Sequence, residues 1–161
     1  MEIFPHHQHI GDEIIESFPV SIMDIVLDTN ILLAGLRSCN GSSHKLLELI
    51  RNGHPAVRYH LSASVVLEYE EILTRELVSS TYSSDEISSF LDDFVANGIR
   101  HASITSLRPV SIDPDDDALI ELAVTAAADT FITFNTRHLK FAYAHGINLL
   151  TPGGFLRKLN L

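Results

Sequence analysis

Short apolar runs of strand length alternate along the chain with longer stretches in which apolar residues return every three or four positions. Ile25-Val26-Leu27 is a compact strand that ends at Asp28-Thr29-Asn30. After the break at Asn40-Gly41, the run from Ser42 to Asn52 carries Leu46, Leu47, Leu49 and Ile50 at helical spacing, with Gly53 as its stop. Val57 to Leu61 reads as a second strand. Ser62 then caps a helix whose apolar face takes in Val65, Val66, Leu67, Ile72, Leu73 and Leu77. Ser83 and Glu86 have the spacing of a capping box, and the helix they open carries Ile87, Phe90, Leu91 and Phe94 before Asn97-Gly98 ends it. Arg100 to Val110 is ambiguous, with room for one or two short strands. Asp113-Pro114 opens a further helix, since proline suits the first helical position. Phe131 to Phe134 and Ile147 to Leu150 are strands, and Pro152 to Leu159 is a closing helix. This alternation predicts an α/β domain, a mostly parallel sheet with helices on both faces.

The 161 residues fit one domain with a proper core. Residues 1–22 stand apart, with His6-His7-Gln8-His9 and scattered Pro, Gly and acids, and read as an N-terminal arm ahead of a domain over 23–161. The histidines could bind metal, but such clusters at chain termini are more often adventitious. Neither a membrane-spanning apolar run nor the basic start of a signal peptide is present. With Cys39 as the single cysteine, no internal disulfide can form, so the expected home is cytoplasmic. The formal net charge of −10 argues against a broad basic surface for nucleic acid. The excess acids either solvate the surface or converge on a divalent cation that attracts phosphate, and position must decide between the two.

In a parallel α/β sheet, ligands bind beyond the carboxyl ends of the strands. Asp28 falls at such an end, where its carboxylate either caps the helix starting near Ile31 or faces a ligand. Asn135 occupies the equivalent place after the strand that includes Thr133; its plain role is a turn residue. Asp113, Asp115, Asp116 and Asp117 crowd one helix start, where the dipole favours acids. Asp117, however, stands in the second turn beside Ala118, Leu119 and Leu122, near the buried stripe, where a carboxylate needs a partner or a cation. Asp115 could assist it, while Asp116 points to solvent. On the helix after Ser62, Glu71 has Arg75 four residues on and is explained by that ion pair. Glu68, between Val65, Leu67 and Ile72, is the better inward acid. Convergent oxygen ligands of this kind suit Mg²⁺ or Mn²⁺, hard cations that engage phosphates. Zinc-like Cys and His spacing, a P-loop, a glycine-rich dinucleotide fingerprint and a Gly-x-Ser-x-Gly elbow are all missing.

Taken in order, Val26-Leu27-Asp28-Thr29-Asn30, Leu61-Ser62 with Glu68-Tyr69-Glu70-Glu71-Ile72-Leu73, and Asp113-Pro114-Asp115-Asp116-Asp117 resemble the PIN domain. So do Ala128-Asp129, Phe131-Ile132-Thr133-Phe134-Asn135, Arg137-His138-Leu139, Gly146-Ile147 and Leu150-Thr151-Pro152 with Phe155-Leu156. The likeness is to the PIN toxins of bacterial toxin–antitoxin pairs and spans Met23 to about Leu159. It implies a Rossmann-like sheet and an Mg²⁺- or Mn²⁺-dependent ribonuclease. Carried over by position, Asp28, Glu68 and Asp117 are the metal-binding acids, with Thr29, Asn30, Thr133 and Asp115 in support. The family's fourth polar position, often aspartate, is Asn135 here, which can offer an amide oxygen but no charge. The resemblance also implies an RNA substrate, a small antitoxin protein and a homodimer. Arg37, Arg137 and Lys140 could contact the RNA backbone or simply be solvated. A second reading is a catalytically weak PIN domain that binds nucleic acid or protein, and a third is a small phosphatase-like hydrolase.

Overall fold

The computed structural model describes residues 21–106, 114–135 and 139–161. Among these described residues five strands and seven helices follow one another: β1 (Met23–Leu27), α1 (Thr29–Arg37), α2 (Ser42–Arg51), β2 (Val57–Ser62), α3 (Ala63–Leu77), α4 (Ser84–Asn97) and β3 (Ile99–His101). Then come α5 (Pro114–Thr125), β4 (Thr130–Ile132), α6 (Leu139–Ala144), β5 (Asn148–Leu150) and α7 (Pro152–Lys158). All pairings are parallel, in the order β3-β2-β1-β4-β5. The expected α/β architecture is therefore present, with a fully parallel sheet. The expected arm, up to residue 20, and the helix cap Asp113 lie outside the described residues.

That strand order fixes the layers. From β1 to β2 to β3 the chain steps one way across the sheet; from β3 to β4 to β5 it steps the other way. Right-handed crossovers then put α1 to α4 on one face and α5 and α6 on the other. The packing agrees: Tyr59 of β2 stacks against Phe94 of α4 with ring centroids 4.6 Å apart, while α5 packs across β1 and β2. The direction reverses between β1 and β4, which are hydrogen-bonded neighbours. A crevice at the carboxyl ends of these two strands is where such sheets bind ligands.

Local signals hold at most helix starts. Ser62 Oγ accepts the Val65 N–H, and Ser83 and Glu86 form the full capping box. Two expectations change. On α3 the buried stripe is Val65, Tyr69, Leu73 and Leu77, and Leu67 is 64% exposed. At 100° per residue, Leu67 lies far round the helix from Val65, and Tyr69 takes its place inside. The strand expected over Phe131 to Phe134 stops at Ile132. Thr133 still donates its N–H to the Leu150 carbonyl, but its hydroxyl then accepts the Asn135 N–H at 2.9 Å. This side-chain turn leads the backbone out of the ladder. Of the ambiguous stretch Arg100 to Val110, Arg100 and His101 belong to a short strand, β3, and residues 107–110 lie outside the described residues.

Candidate active site

Asp28 follows the last residue of β1 and is also the N-cap of α1. Its backbone N–H donates to the Ile132 carbonyl of β4 at 2.9 Å, which holds the residue at the switch point between the two strands. The side chain is only 5% exposed. One carboxylate oxygen accepts the Asn30 N–H at 3.3 Å, and the other accepts the Thr133 hydroxyl at 2.6 Å. The capping role is therefore present in one carboxylate oxygen, and the other is bonded across the crevice to Thr133, just beyond β4. Among the described residues no Lys, Arg or His pairs with it. Among the described residues both donors to its side chain are neutral, and burying a carboxylate without a cation beside it is costly.

Glu68 reaches the same region from α3. It is half-buried, and its Oε1 accepts the Thr29 hydroxyl at 2.5 Å. Thr29 is buried on the first turn of α1, next to Asp28, so adjacent residues tie two elements together. Tyr69, one residue beyond Glu68, donates its hydroxyl to the Leu27 carbonyl at 2.5 Å. Full burial pushes its phenol well above its ordinary range, and the nearby charges of Asp28 and Glu68 push the same way. It is a fixed neutral donor that anchors α3 to the end of β1, directly behind both acids.

Asn135 is half-buried and joined to Asp28 through Thr133, whose hydroxyl donates to the acid and accepts the Asn135 N–H. Asp117 is half-buried on α5, the helix that packs against β1, β2 and α3. Among the described residues, no three His, Cys, Asp or Glu side chains gather closely enough to hold one metal ion. The structure thus links Asp28, Thr133 and Asn135 by hydrogen bonds and Thr29 with Glu68 by another, the two groups meeting where Asp28 and Thr29 adjoin in the chain, with Asp117 on α5, which packs against α3. Asn30 is exposed and contributes its backbone to the cap. The side chains of Asp115 and Lys140, and all of Arg137, lie outside the described residues. Arg37 is engaged elsewhere, 2.9 Å from Glu76, and Glu71 makes its expected contact with Arg75 at 3.7 Å.

A second polar cluster, not singled out from the sequence, spans β1, β2 and β3. Asp24 accepts both arms of Arg58 at 2.9 and 2.7 Å and contacts His60 Nε2 at 2.7 Å. His60 Nδ1 in turn meets His101 Nε2 at 2.8 Å. Asp24 and Arg58 are register partners, and so are His60 and Ile99, so parity puts Asp24, Arg58, His60 and His101 on one sheet face. The signal was available: Arg58 and His60 alternate with apolar Val57, Tyr59 and Leu61 inside the strand read from Val57 to Leu61.

A family model described as PIN domain matches residues 24–137. Among curated proteins nothing matches. Two solved structures share the fold. One is VapBC2 from Rickettsia felis bound to a DNA fragment from their promoter, with TM-score 0.53 and 17% identity over 80% of this chain and 98% of that one. The other is FitAB bound to an IR36 DNA fragment, with TM-score 0.51 and 20% identity over 80% of this chain and 94% of that one.

Proposed function

Because this chain belongs to the PIN domain family, whose members are generally nucleases, we propose that it is a Mg²⁺- or Mn²⁺-dependent endoribonuclease and the toxin of a toxin–antitoxin pair. The observation that carries this reading is Asp28. It is a buried carboxylate at the switch point of a parallel sheet, aimed by the Thr133 hydroxyl and matched by no cationic side chain among the described residues. The donors fit a hard cation: Asp28, Glu68 and Asp117 offer carboxylate oxygens and Asn135 an amide oxygen, with no sulfur or imidazole. When bound, such a cation would lower the pKa of water and neutralise charge on the scissile phosphate.

The protein's own part is orientation. Thr133 fixes the rotamer of Asp28, Thr29 fixes Glu68, and Tyr69 holds the helix that carries Glu68 against the strand that carries Asp28. Asp117 would join them from α5, with Asp115 in support. Its proposed partner is a small antitoxin protein, as the resemblance to PIN toxins implies. No helix among the described residues is long and apolar enough to cross a membrane, and we place the protein in the cytoplasm, as a homodimer. One observation favours a second reading: with Asn135 in the fourth position, a weak PIN domain that binds nucleic acid or protein without efficient cleavage. Incubation of a single-stranded RNA with the protein and Mn²⁺ separates the two. Cleavage that chelation stops and that Asp28→Asn and Asp117→Asn both remove supports the nuclease. Wild-type-like cleavage by both variants rules this site out.

A further inference from the structure

Phe134 is 54% exposed, although Phe131 and Ile132 just before it are buried and the sequence pattern reads all of them as strand. The cause is local. Thr133 accepts the Asn135 N–H and so turns the backbone out of the sheet, which leaves the Phe134 ring facing solvent. The same hydroxyl donates to Asp28. One side chain therefore aims the acid and presents the ring, and consecutive Cα atoms are about 3.8 Å apart, so the two are close neighbours in space. A large apolar ring left in water beside a polar site gains by being covered.

Resting on the nuclease reading above, we infer that Phe134 is a substrate-binding residue on which an unpaired nucleobase stacks, that of the nucleotide adjoining the phosphate held at Asp28. Every base has a π face, so such a platform favours single-stranded over double-stranded RNA and tolerates many sequences. It also supplies affinity that a chain of net charge −10 cannot obtain from a broad basic surface. The ring touches base, not the reacting phosphate, so its loss weakens binding far more than turnover.

The test uses a short single-stranded oligoribonucleotide carrying 2-aminopurine, whose fluorescence is quenched on stacking. Binding is read in an Asp28→Asn background, where the probe is not cut, and cleavage is read separately in the otherwise native chain. Phe134→Ala should weaken binding about tenfold and abolish the quench at one probe position. Phe134→Trp should restore both. In cleavage, KM should rise with kcat little changed. Tyr143→Ala is the control. Tyr143 is 76% exposed in the last turn of α6, which runs back towards the opposite edge of the sheet, and its loss should change neither readout. Equal binding and quench with Phe134→Ala would overturn the inference while leaving the nuclease reading intact. Absence of any quench with the parent protein would overturn it too. Quench without metal-dependent cleavage would uphold stacking and remove the nuclease reading.

Discussion

Asp24 and Asp28 stand four residues apart on and just beyond β1, and their surroundings differ in kind. Asp24 is surrounded by cations and their surrogates: both arms of Arg58, the His60 ring, and behind it His101. Burial pushes its carboxyl up, but the hydrogen bonds and charges of Arg58 and His60 outweigh that and hold it below its ordinary value. Asp28 is more deeply buried and receives one backbone N–H and one hydroxyl, both neutral. The first acid is neutralised by its own chain and pins β1 to β2. The second has its direction fixed and, among the described residues, no cationic side chain beside it.

Swapping the acids for amides should separate the two regions most sharply. Asp28→Asn should lower RNA cleavage more than about 100-fold, beyond the 10–100-fold typical of losing an outer hydrogen-bond partner. Its thermal midpoint should hold or rise, because an uncompensated buried charge disappears while the cap remains. Next in size, Thr133→Val should cut activity by about 10–100-fold through loss of the rotamer lock on Asp28, whereas Thr133→Ser keeps the hydroxyl and most of the rate. Asp24→Asn should do the reverse of Asp28→Asn. Urea titration should show a loss of about 1–3 kcal/mol from the broken partly buried pair, with cleavage near normal below the midpoint.

The smallest effect is on pH dependence. His60 Nε2 faces the Asp24 carboxylate, and His60 Nδ1 faces His101 Nε2. Burial, and then the neighbouring His60, hold His101 below its ordinary 6.5. Between that lowered value and 6.5 the unfolded chain binds a proton that the folded chain does not. Stability from this residue is therefore complete above about pH 6.5 and lost as pH falls towards the folded value. Thermal midpoints measured from about pH 8 to pH 5 should decline for the native chain and decline less for His101→Gln. Below this range Asp24 adds a second loss: its stabilising pair is intact above the ordinary carboxyl value of 3.8 and fails as pH drops through its lower folded value.

Much of the fold was legible because its signals are local. The capping box at Ser83 and Glu86, the cap at Ser62 and the compact strand before Asp28 each announce themselves within a few residues. Asp28 was legible as a strand-end acid, and Glu68 emerged once Glu71 was assigned to Arg75. What escaped depends on partners distant in sequence. Helical geometry alone puts Leu67 off the Val65 face, but the partner that lets the Tyr69 hydroxyl lie inside, the Leu27 carbonyl, is 42 residues earlier. The end of β4 at Ile132 follows from a turn made by the Thr133 side chain, and an apolar run cannot reveal it. The Asp24 cluster needs the register of three strands before its members meet.

The most direct test is a calorimetric titration with Mn²⁺ of the native chain beside Asp28→Asn and Asp24→Asn, all held below their melting midpoints. The account predicts saturable binding for the native chain, retained with Asp24→Asn and abolished with Asp28→Asn. Equal binding by the native and Asp28→Asn chains would contradict it.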